Sequence, residues 1–91
     1  MTKRQREILE RIERGETSEG NNDVHDPAEG QRFDAFVEEL QGLELYGWIE
    51  LHLQKNYMTH QGEWFKASYK LTEEGRDSLA HERGRGETLD G

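Results

Sequence analysis

Cysteine is absent from all 91 residues, so neither a disulfide nor a thiolate metal site can staple this chain. That suits a reducing compartment, and a cytoplasmic protein is expected. Proline occurs once, at Pro27, and lysine four times, at Lys3, Lys55, Lys66 and Lys70. Hydrophobic residues make up only 31%, which limits the chain to one small core. No apolar run approaches the roughly 20 residues that a membrane helix needs. The opening MTKRQREILERIERGE has no apolar signal region. The expectation is a soluble protein of one domain, residues 1–80, with a flexible tail over residues 81–91.

Motifs of catalysis are also missing. There is no thiol nucleophile, no serine in a strained Gly-x-Ser-x-Gly turn and no glycine-rich phosphate loop following a strand. His25, His52 and His60 lack the HxH or HxxxH spacing that brings metal ligands together. The carboxylates are many, but no apolar pocket is apparent that would raise the pKa of one of them. No catalytic residue, metal, cofactor or small-molecule substrate is therefore expected, and the chain reads as a non-enzyme.

What is abundant is negative charge. Twenty acids against 12 bases give a net charge of −8. Residues 1–14 are net +2 and residues 48–72 net +1, and they flank a strongly acidic middle. Autonomous nucleic-acid binders are usually basic, because phosphate contacts supply much of their affinity. Abundant acids with few lysines also suit a salt-rich cytoplasm.

The apolar residues fall into a clear order of elements. Thr2 and Gln5 have capping-box spacing, Ile8, Leu9 and Ile12 form a stripe, and Gly15 is a stop, so a helix is predicted over residues 3–14. Residues 15–25, rich in Gly, Ser, Asn and Asp, read as loop, with Val24 able to join a sheet edge. Asp26 then caps a helix with Pro27 in its first position, and Phe33, Phe36, Val37, Leu40 and Leu43 continue at helical period. A break near Gly30 would split that helix in two. Period two follows. Ile49, Leu51 and Leu53 alternate with Glu50, His52 and Gln54, and Phe65, Ala67, Tyr69 and Leu71 alternate with Trp64, Lys66, Ser68 and Lys70. Two such strands around a polar tip make an antiparallel hairpin. Thr72 caps a short closing helix through Leu79 and Ala80. Helix, loop or short helix, helix, two-stranded wing and short C-terminal helix is an α+β layout, that of a winged helix.

GWIEL and YKLTEEGRDSL strengthen that reading. Leu43, Gly47, Trp48 and Ile49 resemble the exit of a winged-helix recognition helix into its wing. Tyr69, Leu71, Thr72 and Gly75 resemble the end of the wing and the start of the closing helix. REILERIERGE, FDAFVEELQGLELYGWI and YKLTEEGRDSLA together resemble the YjcQ-like family of small phage and prophage winged-helix proteins, over roughly residues 4 to 80. The resemblance implies the fold, and no biochemical role comes with it. The place of the usual second helix holds GETSEGNNDVHD, which has no amphipathic period.

Two functions from different classes fit this reading: DNA binding, favoured by the fold resemblance, comes first, and protein binding, favoured by the charge, is the alternative. In the first, the domain binds DNA as a dimer or beside a partner. Lys3, Arg4 and Arg6 would then act from the first helix, Arg32 from the recognition helix, and Lys55, Lys66 and Lys70 from the wing, with Asn56, Tyr57 and His60 at its tip. In the second, the domain binds a protein through Glu38 and Glu39 on an acidic helix and through the aromatic pair Trp48 and Trp64.

Overall fold

The computed structural model describes residues 1–21, 23, 25–56 and 63–90, with the side chains of 56, 63, 64 and 85–90 outside that description. The proposed roles of Val24, Tyr57, His60 and the Trp64 and Asn56 side chains therefore lie outside the described residues. Among those described, the chain is α+β, with three helices and a three-stranded antiparallel sheet. The order is α1 (Lys3–Glu13), β1 (Ser18–Gly20), α2 (Pro27–Leu45), β2 (Ile49–Asn56), β3 (Glu63–Leu71) and α3 (Glu73–Asp90). No helix among these residues is long and apolar enough to cross a membrane.

Local chemistry fixes the helix ends. The Thr2 hydroxyl accepts from the Gln5 N–H at 3.1 Å, while Gln5 Oε1 accepts from the Thr2 N–H at 2.8 Å. This reciprocal pair satisfies two donors that the first turn would otherwise leave orphaned. Asp26 Oδ1 accepts from the Ala28 N–H at 3.0 Å and starts α2. Gly30 donates to the Asp26 carbonyl at 3.0 Å, so α2 runs through it unbroken and is not split. At the far end, Gly47 donates to Glu44 at 2.9 Å and Trp48 to Leu43 at 3.2 Å. This is a Schellman closure, and it requires the left-handed backbone that Gly47 adopts at φ +78°.

The sheet differs from expectation in one respect. The segment read as loop contributes β1, which pairs with β3, giving the strand order β1-β3-β2. Ser18–Gly20 has no strand pattern of its own. It is held by the open edge of β3, where Tyr69 donates to the Thr17 carbonyl at 2.9 Å and Asn21 to the Phe65 carbonyl at 2.7 Å. No helix is described between α1 and α2. The hairpin runs in register from Ile49 opposite Leu71 to Gln54 opposite Lys66, and then slips, so that Lys55 stands opposite Trp64.

One core joins the layers. Ile8, Leu9 and Ile12 from α1 meet Phe33, Phe36, Val37, Leu40 and Leu43 from α2, the sheet residues Ile49, Ala67, Tyr69 and Leu71, and Leu79 from α3. Leu51 and Leu53, expected in the core, are only half-buried, because β2 is an edge strand. α3 passes the expected end at Ala80 and continues through residues 81–90, the stretch the sequence assigned to a tail. Arg83 gives it a tertiary anchor there, reaching Glu13 at 2.7 Å and Glu10 at 3.3 Å on α1.

The residues behind the family resemblance meet at one junction. The Thr72 N–H donates to the Trp48 carbonyl at 3.0 Å, and its hydroxyl donates to the Gly47 carbonyl at 2.5 Å. That same hydroxyl accepts from the Gly75 N–H at 3.0 Å and caps α3. Gly47, Trp48, Thr72 and Gly75 thus lock the exit of α2 to the start of α3.

Candidate functional site

The cations proposed for DNA are spread over α1, α2, β2 and β3, and Arg4, Arg6 and Lys70 are in ion pairs. Lys3 is exposed at the start of α1. Arg4 grips Glu39 of α2 with two bonds, at 2.6 and 3.2 Å, and this hydrogen-bonded pairing raises its pKa further. Arg6 is bound to Glu10 at 3.0 Å. Lys70 lies 3.0 Å from Glu50 across the hairpin, with both side chains well exposed, so that pair adds little stability. Lys55 and Lys66 are exposed on the hairpin and Arg32 on α2. Arg32 borders a depression of about 280 Å³ that it shares with Glu19, Glu29 and Phe33. The outer face of the sheet has a shallow hollow of about 270 Å³ where Glu50 and Lys70 flank His52 and Ser68. Charges of both signs line it, which does not make a phosphate track.

Among the described residues, the one strongly shifted side chain is structural in its contacts. Tyr69 is buried, and its hydroxyl donates to the Glu16 carboxylate. Burial first, and that bond second, raise its pKa, so at neutral pH it stays a donor and cannot serve as a base. Arg11 sits 3.0 Å from Glu16 and 3.1 Å from Glu19, and its guanidinium lies 5.2 Å above the Phe36 ring. Burial lowers the Arg11 pKa, but the two carboxylates outweigh it and the net shift is upward. The cluster fastens α1, β1 and β3 together. Among the described residues no three His, Cys, Asp or Glu side chains are grouped to hold a metal ion.

A different surface stands out at the end of α2. The buried stripe ends at Leu43, and Leu45, two positions on, points away from it. Leu45 is 89% exposed and Tyr46 59%, and they are the exposed large hydrophobics among the described residues. Tyr46 stacks on Trp48 with ring centroids 4.5 Å apart and 15° between planes. Trp48 is half-buried, with one side against the core. It borders a trough of about 510 Å³, lined also by Met1, Asp77, Ser78, His81 and Glu82. Glu38 is exposed on the α2 face that leads to Leu45. Glu39, proposed for the same interface, is not part of that face: a rotation of about 100° per residue turns it toward α1, where Arg4 holds it. Leu45 and Tyr46 were missed in the sequence reading, although their signal was present as two large apolar residues off the helical stripe.

Comparison with protein-family models, with curated proteins and with solved structures found no match for this chain.

Proposed function

We propose that this chain is a winged-helix module that binds another protein through the exposed end of α2, and that it carries no reaction of its own. The winged-helix reading is supported by the strand order β1-β3-β2, the hairpin between α2 and α3, and the resemblance of the GWIEL and YKLTEEGRDSL segments to YjcQ-like proteins. The observation that carries the functional reading is the exposed Leu45 and Tyr46 beside a stacked Trp48. Exposing such residues gives up burial energy, about 25 cal/mol per Å² of apolar surface, and a partner covering them recovers it. Aromatic anchors with a polar rim are the usual make-up of an interface centre.

The DNA reading retains one favourable observation, the exposed Lys55 and Lys66 on the hairpin. The two readings separate in one experiment. The chain is used as bait in a nuclease-treated extract of its source cells and, in parallel, titrated with duplex DNA at rising salt. The proposal expects a protein to be retained by the parent and lost with Leu45→Ser/Tyr46→Ser, and no measurable duplex binding. If instead duplex binds, and Lys55→Ala/Lys66→Ala/Lys70→Ala removes it with a slope change of about 0.9 per lost contact, the wing is the functional surface.

A further inference from the structure

We infer that the partner presents a basic amphipathic helix, whose bases lie along α2 and whose apolar residue seats at its end. This rests on the protein-binding reading above and adds the chemistry of the partner. Asp34, Glu38, Gln41 and Leu45 are spaced four, three and four residues apart, so they follow one line up the helix. All four are exposed. The line starts with two carboxylates, passes an amide and ends on the apolar set Leu45, Tyr46 and Trp48.

Asp34 and Glu38 contrast with the acids that the fold has already matched to bases. Glu10, Glu13, Glu16, Glu19, Glu39 and Glu50 are all in ion pairs with bases of the same chain. Asp34 and Glu38 have no such pair among the described residues. Two unmatched negative charges leading into an exposed apolar end are complementary to a helix with bases one turn apart and an apolar residue further along. At 1.5 Å per residue, the two carboxylates stand about 6 Å apart along the axis and Leu45 about 10 Å beyond Glu38. A partner helix matches this with bases at i and i+4 and a large apolar residue near i+11. Laying the apolar face of a helix against another surface is a common mode of recognition.

A second copy of this chain does not fit. Two-fold docking of the same face sets Asp34 and Glu38 against the same carboxylates when the helices run parallel, and against Leu45 and Gln41 when they run antiparallel about the middle of the line, and neither arrangement offers them a base. The first helix offers no matching pair of bases one turn apart, because Arg4, Arg6 and Arg11 are already paired, which leaves Lys3, and its apolar stripe is buried. Nucleic acid would meet the carboxylates with its phosphates.

The test uses the full chain and a labelled synthetic helix carrying lysines at i and i+4 and leucine at i+11, followed by fluorescence anisotropy. Its counterparts are a scrambled peptide and one with glutamate for lysine. The lysine–leucine peptide is expected to bind best and to weaken with salt. Asp34→Asn/Glu38→Gln and Leu45→Ser/Tyr46→Ser should each weaken it by about tenfold, the loss of one strong contact. Glu7→Gln/Glu50→Gln removes the same charge from other surfaces and should change it less than about twofold. Equal weakening by that control pair, equal binding of the glutamate peptide, or displacement by duplex DNA overturns the inference. If the extract experiment retains a protein through Leu45 and Tyr46 while the lysine–leucine peptide does not bind, the basic partner is wrong and the interaction surface stands.

Discussion

Gly75 of α3 lies against the backbone of Trp48 so closely that a β-carbon on Gly75 would stand 2.0 Å from the Trp48 carbonyl oxygen. That oxygen also accepts from the Thr72 N–H, so it cannot swing aside without losing the bond. Only a residue without a side chain lets the closing helix start where it does.

Gly75→Ala should therefore destabilise the domain by about 1–3 kcal/mol, the cost of overpacking a tight site, although alanine is the better helix former. Gly30→Ala is the matched comparison. Its β-carbon would meet nothing within 4 Å, and the change should stabilise by up to about 1 kcal/mol. Urea unfolding midpoints measure both. Similar midpoints for the two variants would show that the junction tolerates a side chain.

The contrast between Leu40 and Leu45 tests which face of α2 is core. Leu40 is fully buried and Leu45 is almost fully exposed. Leu40→Ala should cost about 2–5 kcal/mol. Leu45→Ala should stay within about 0.5 kcal/mol of the parent. Thermal or urea unfolding decides it, and a large loss at Leu45 would mean that this side chain is packed and not presented.

Tyr69 makes stability depend on alkaline pH. Burial and the bond to Glu16 hold its proton in the folded state, above the ordinary value of 10.0. The unfolded chain loses that proton first as pH rises. The stabilisation is thus complete below the unfolded pKa and declines as pH climbs toward the folded one, by about 1.4 kcal/mol per pH unit at most. In Tyr69→Phe this part of the alkaline decline should vanish. Urea unfolding of parent and variant across that range measures it, and equal slopes would contradict the role given to Tyr69.

These results also explain what the sequence could reveal. The helices were legible because their stripes and caps are local: Thr2 with Gln5, Asp26 with Ala28, and the apolar positions from Phe33 to Leu43. The hairpin was legible because alternation from Ile49 to Leu53 and from Ala67 to Leu71 has one meaning. β1 was not, since Ser18–Gly20 is a strand only through what β3 offers it from nearly fifty positions away. The continuation of α3 depends on Arg83 meeting Glu10 and Glu13, again a tertiary fact. For the site, the acids of α2 are plain in the sequence, but pattern could not tell which bases were already occupied. Arg4 and Arg6 counted as free cations in the sequence and are ion-paired in the fold. The motif residues Gly47, Trp48, Thr72 and Gly75 build the junction between α2 and α3, so their role in this structure is one of packing and capping.

The central claim is that the exposed end of α2 meets a protein. A photo-reactive amino acid placed at position 45, with a second version carrying it at position 66 on the hairpin, tests this in the source cells. The account predicts a protease-sensitive, nuclease-resistant adduct from position 45 and little from position 66. A nuclease-sensitive adduct from position 66, with none from position 45, would contradict it.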